Sequence, residues 1–199
     1  MKLLRASAVL TLFFVIVTGI IFPLVITAIA QVAFPFQANG SMVKVGNKVI
    51  GSKLIGQNFT SPKFFHPRPS AAGDGYDANN SGATNLGPTN PKLLDGADGF
   101  EGIKQLAIKY RKENGLEPNV IIPADAVTRS ASGLDPDISP LNAKLQVSRV
   151  ALARGMSASR VLGLVDRHTE LPFLGIFGEA RVNVLELNLD LDSAQAGSS

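Results

Sequence analysis

The sequence contains no cysteine and only two histidines. Without cysteine there is neither a disulfide framework nor a thiolate metal site, so stability outside a cell would rest on packing alone. His66 and His168 lie far apart in the chain, and neither has an acidic or histidine partner at ligand spacing. No metal site is read from them. His66, between aromatic and proline residues, and His168, at a helix end, are read as structural, since a helix C-terminus favours histidine. Also missing are a Lys/Arg run and aromatic-basic interleaving. The net charge is +3, and Lys2 and Arg5 account for most of it, so the remainder is nearly neutral and nucleic acid is excluded as a partner.

The longest absence is of charge itself. No charged residue stands between Arg5 and Lys44. Within that gap Ala6–Ala33 is almost unbroken hydrocarbon; about 24 helical residues at ~1.5 Å each reach ~36 Å, against a bilayer core of ~30 Å. One membrane span is expected, with residues 1–34 as anchor and 35–199 as a single extramembrane domain. Ala28-Ile29-Ala30 resembles a signal-peptidase site, but the apolar run exceeds the roughly 7–15 residues of a cleavable signal, which favours an uncleaved anchor. Pro23 is expected to kink the span. Gly19 and nearby hydroxyl residues offer a surface where a neighbouring helix packs closely. Lys2 and Arg5 place the N-terminus in the cytoplasm and the domain on the outer, periplasmic side of the inner membrane.

Met42–Val45 and Lys48–Ile50 flank Gly46-Asn47 and read as a hairpin. Residues 46–53 nearly match a phosphate loop, but Gly51-Ser52-Lys53 reverses the required order and the strand context is wrong. Thr60–Thr89 is a long loop rich in Gly, Pro, Asn and Ser. Its aromatics argue against disorder, and such loops carry recognition. Its docking candidates are Phe64, Phe65, Arg68 and Asn85, with Asp135 in a second loop. Asn90-Pro91 opens a helix running to Asn114, weakened by Gly96, Gly99 and Gly102. Val120–Ile122 is expected as a strand and Ala124–Thr128 as a helical turn. Ser139-Pro140 and Ser157 open two helices in a tight αα-hairpin. Alternation of leucine with polar residues over 185–192 reads as a closing strand, bulged near Val184-Leu185, with a tail from Ser193 to Ser199. The fold class is α+β.

A Ser132/His168/Asp135 hydrolase lacks the G-x-S-x-G elbow. An anchored envelope hydrolase and a plain binding module, both unrelated to transport, stay open as alternatives on these residues.

Strings of residues in a fixed order carry a more specific signal. Gly51–Gln57 (GSKLIGQ), Phe64–Ser70 (FFHPRPS), Ser81–Asn90 (SGATNLGPTN), Ser132–Pro140 (SGLDPDISP), Gln146–Ala151 (QVSRVA) and Gly178–Leu185 (GEARVNVL) come after one N-terminal span. In this the chain resembles the C subunit of the Kdp-type potassium-transporting P-type ATPase, departing at Ala180, where the family pattern has proline. The resemblance implies a non-catalytic accessory subunit of a potassium importer. Its partners would be a channel-like potassium-binding subunit, an ATP-hydrolysing P-type subunit and a small membrane subunit. It also implies a catalytic-chaperone role that raises ATP affinity, with Gln146 as the nucleotide contact. ATP would then be shared with the hydrolysing subunit, and the chain would hold no cofactor of its own. The external domain conflicts with that contact, and stabilising the channel-like subunit or shaping its ion entrance fits the topology better.

Overall fold

The computed structural model describes residues 1–97 and 99–196. The chain divides into two compact units, Met1–Ser52 and Lys53–Ser199.

In the first unit, α1 (Lys2–Ile16), a π-helical turn (Val17–Ile21) and α2 (Phe22–Ala33) form one continuous helix of 32 residues, long and apolar enough to cross a membrane. The expected interruption at Pro23 takes the form of the π turn rather than a break. Proline cannot donate to the carbonyl four residues back, and its ring crowds that carbonyl. The backbone widens just before it, and the Phe22 N–H donates to the Val17 carbonyl, five residues back. Gly19 sits in this turn, where an added Cβ would meet nothing within 4 Å. After α3 (Pro35–Ala38), β1 (Met42–Val45) and β2 (Lys48–Ser52) pair antiparallel around Gly46. Gly46 has a φ of 59°, which glycine adopts freely. The phosphate-loop look-alike thus lies on a hairpin strand.

The second unit is built on helices α6 (Pro140–Arg154), α7 (Ala158–Arg167) and α8 (Val184–Ala196), with a three-stranded antiparallel sheet. In that sheet β5 (Arg181–Asn183) lies between β3 (Asp137–Ile138) and β4 (Thr169–Glu170). Ser139 and Ser157 cap their helices as expected, accepting from Asn142 and Arg160 N–H groups. Phe65, Ile138, Val150, Val161, Leu164, Val165, Val182, Leu187 and Leu191 form the main core. A second cluster seats Leu106 and Tyr110 of α5 (Ile103–Asn114) on Ala126 and Val127, which the 3₁₀ turn Ala124–Ala126 presents.

Three expectations are corrected. The helix expected over 91–114 is two, α4 (Pro91–Asp95) and α5, because Gly96 takes a φ of 77° and turns the chain away. Val120–Ile122 joins no strand. Arg111 Nη2 satisfies the Val120 carbonyl at 3.1 Å, and Ile122 packs on the second cluster. The closing strand ends at Asn183 and becomes α8. The leucine alternation is real, but Val184, Leu187, Asn188 and Leu191 recur at helical spacing, and all four are buried. The first residues of the expected tail, 193–196, belong to α8, while 197–199 lie outside the described residues.

Candidate functional site

The segment 62–66 enters the second unit from exposed Pro62 and Lys63 to buried Phe65 without belonging to a helix or strand. Most of its backbone polar groups are met by side chains, while the Phe64 N–H donates to the Ser61 carbonyl. Asn188 on α8 grips Phe65, accepting its N–H at Oδ1 (2.8 Å) and donating Nδ2 to its carbonyl (3.0 Å). Gln146 on α6 grips His66 in the same way, with His66 N–H to Oε1 at 2.7 Å and Nε2 to the His66 carbonyl at 3.1 Å. Two amide side chains thus stand in for the neighbouring strand that the segment lacks. Arg149 donates Nη1 to the Pro62 and Phe64 carbonyls (2.9 and 2.8 Å), and Arg154 donates Nε to the Lys63 carbonyl (2.6 Å). Arg154 is held in turn by Asp192 at 2.8 Å and stacks over the Phe64 ring.

Behind Gln146 the network continues inward. Its Nε2 also donates to Asn142 Oδ1 (2.9 Å), which accepts the Tyr110 hydroxyl as well (2.8 Å). Asn142 Nδ2 donates to Asp125, whose carboxylate also takes the Ser139 N–H and hydroxyl. Burial pushes the Tyr110 hydroxyl well above its ordinary value, so it acts as a donor throughout the physiological range. His66 donates Nε2–H to the Ser61 carbonyl (3.0 Å) beside the Arg149 cation. Burial first, and that cation second, hold His66 below the ordinary histidine value, so it stays neutral. A cavity of about 290 Å³ opens beside His66, lined also by Arg68, Tyr76, Tyr110, Glu113 and Arg129.

The loops meet at a second junction. Arg68 Nη1 pairs with Asp135 Oδ2 at 2.7 Å, and the Tyr76 hydroxyl donates to the Arg68 carbonyl. Ser70 donates to the Gly133 carbonyl (2.6 Å) while accepting the Tyr76 N–H (2.9 Å). Gly56 N–H donates to Leu134, and Gly82 N–H to Ser132. Gly133 holds a φ of 68° with backbone against it, since an added Cβ would sit 2.6 Å from Ala72 N. Strings 51–57, 64–70 and 81–90, separated in sequence, therefore each meet 132–140 here.

The site residues read from the sequence scatter across these features. Gln146 is 1% exposed, and both of its acceptor positions and both amide protons are in use. Phe65, expected on a docking surface, is corrected to a core residue, 0% exposed beneath the Asn188 clamp. Phe64 is half-buried against Phe59, Arg68 and Asp135 form the loop junction, and Asn85 is exposed at a φ of 52°. Gly19 belongs to the first unit. His168 pairs with Asp190 at 3.0 Å, and Asp135 with Arg68, so the hydrolase triad is not assembled. Among the described residues no group of three or more His, Asp or Glu is placed to hold a metal. Sequence reasoning missed Asn188, Asn142, Asp125, Arg149 and Arg154. The available signal was polar residues at 142, 146 and 149, interleaved at helical spacing with the buried Ala143, Val147 and Val150.

Comparison with known proteins gives a concordant result. A family model described as K+-transporting ATPase, c chain, matches residues 4–193. The potassium-transporting ATPase KdpC subunit of Koribacter versatilis is 51% identical over 98% of this chain and 96% of its own. That of Mycobacterium tuberculosis is 51% identical over 96% and 97%, and that of Rhodospirillum rubrum 49% over 96% of each.

The clamps have two measurable consequences. Gln146→Ala strands the His66 backbone and Asn142 in a buried site, at about 1–3 kcal/mol per unmet group. Chemical denaturation of the full chain in detergent is expected to register a loss of about 3 kcal/mol. Neutral, buried His66 binds fewer protons folded than unfolded. Its stability contribution is therefore intact above pH 6.5 and is lost as pH falls below that value and through the lowered folded one. The thermal midpoint is expected to drop between pH 7 and 5.5, with a shallower drop in His66→Gln.

Proposed function

Because this chain belongs to the family of K+-transporting ATPase c chains, we propose that it is a non-catalytic accessory subunit of an ATP-driven potassium importer. It is anchored by its one long apolar helix and acts through a domain on the outer side of the inner membrane. The match over residues 4–193 carries this reading. In the proposal the chain assembles with a channel-like potassium-binding subunit, an ATP-hydrolysing P-type subunit and a small membrane subunit. Gly19 packs against a neighbouring span, and Asn85 and the loop junction around Arg68 and Asp135 face the channel-like subunit.

The external placement is supported by Lys2 and Arg5 on one side of the span and the absence of charge on the other until Lys44. The saturated amide of Gln146 supports an architectural role for that residue. A nucleotide contact, and with it the chaperone role, would require Gln146 to abandon the His66 backbone and leave buried groups unmet. ATP is accordingly assigned to the hydrolysing subunit.

The chain has no cysteine, so Ser132→Cys, at an exposed loop position, gives a unique thiol. An impermeant maleimide is expected to label it in intact cells, and the tagged chain, extracted in mild detergent, to bring down a P-type ATPase subunit. Labelling confined to inside-out vesicles contradicts the topology, and a chain that purifies alone contradicts the assembly.

A further inference from the structure

The membrane helix does not close its own hydrogen-bond ladder. At the π turn the Phe22 N–H reaches past Thr18 to the Val17 carbonyl. The next residue, Pro23, carries no N–H. An α-helix or a π turn would serve the Thr18 carbonyl from four or five residues on, and here neither position delivers a donor. Regular helix resumes with α2, whose N-cap Ile21 offers its carbonyl to the first bond of the new ladder. The Leu24 N–H is then left to serve both Gly19 and Ile20. Side chains do not fill the gap. The Thr18 hydroxyl is committed upstream, donating to the Phe14 carbonyl at 2.7 Å, and from Phe14 to Phe22 it is the one polar side chain. Beside the open carbonyl stands Gly19, with nothing within 4 Å of where its Cβ would be, so another chain can approach the backbone closely there.

These groups lie deep in the membrane. The helix runs Lys2–Ala33, and Thr18 lies ~24 Å along it at ~1.5 Å per residue, close to the middle of the ~30 Å hydrocarbon layer that the helix crosses. Lipid tails donate no hydrogen bond, and an unmet backbone group is expensive at that depth. We propose that a span of another subunit meets this helix at Thr18 and Gly19 and donates a hydroxyl or carboxamide side chain to the Thr18 carbonyl. The contact rests on the assembly proposed above and gives the chemistry of the neighbouring span. A second copy of this chain does not fit. Lys2 and Arg5 orient every copy alike, so copies pair in parallel and like depths meet. Within about one turn of Thr18 a copy would bring only its own Thr18 hydroxyl, already engaged with Phe14. Its next donors, Thr11 and Thr27, lie about 10 Å or more away along the axis.

Thr18-Gly19 is the only Thr-Gly step in the chain. Threonine labelled with ¹³C at its carbonyl, together with ¹⁵N-glycine, therefore singles out the Thr18 carbonyl in solid-state NMR. The full chain is measured alone in phosphatidylcholine bilayers, and again in the complex purified from cells that co-express the other subunits of the pump. Hydrogen bonding moves a carbonyl ¹³C resonance downfield. The Thr18 resonance is expected at the upfield, unbonded position in the lone chain and is expected to move downfield in the complex. Pro23→Ala returns an N–H to the helix and is expected to move the resonance downfield in the lone chain as well. No response to Pro23→Ala overturns the proposal. So does a downfield position in the lone wild-type chain, in favour of water or a second copy. A complex that assembles while the Thr18 resonance stays upfield overturns it and leaves the assembly standing, whereas a chain that brings down no other subunit overturns both.

Discussion

The second unit depends on how one stretch of main chain, 62–66, is satisfied. It enters the core at Phe65 with no strand beside it, and a buried N–H or carbonyl left without a partner costs about 1–3 kcal/mol. Asn188 and Gln146 resolve this by offering amide groups in the geometry of a peptide bond, and Arg149 and Arg154 collect the carbonyls just upstream. Because the clamps come from α6 and α8, the segment fixes the spacing of the two helices. It also delivers Phe65 to the core between them. The remaining loops then close on the Arg68–Asp135 junction.

This explains how a domain without disulfides and with long irregular loops holds a defined shape. Its specificity comes from polar side chains bound to backbone, Gln146 with its whole hydrogen-bonding capacity in use, over an aliphatic core. The family strings serve that arrangement. Gly133 allows backbones to touch, Ser70 ties two loops together, and Gln146 and Arg149 grip segment 62–66. In this structure these residues hold loops and helices together. The groups left facing outward are of other kinds, namely Asn85, the rim of the cavity beside His66 and the apolar loop 171–177 after β4.

The sequence made the helical span, the hairpin and the αα-hairpin of α6 and α7 legible, because each is written locally in hydrophobic runs, turn residues and caps. It misled where two periods fit one string. In 184–191 leucines alternate as in a strand, while the residues that bury do so at helical spacing, and only the position of the core decides between them. The glycines at 96, 99 and 102 announced a weak helix without saying that it breaks. The candidate site was legible as strings and opaque as geometry. Gln146 stood out, but nothing local pairs it with His66, eighty positions away, or pairs Asn188 with Phe65. Side-chain-to-backbone clamps of this range leave no period to read.

Hydrogen exchange tests the central claim directly. The amide protons of Phe65 and His66 lie in a segment without secondary structure, yet their acceptors are the buried Asn188 and Gln146 side chains. In the full-length chain under native conditions both are predicted to exchange as slowly as core amides of α6 such as Val150, through global opening. Exchange at rates typical of an open loop would contradict the clamped segment as the organising constraint of the unit.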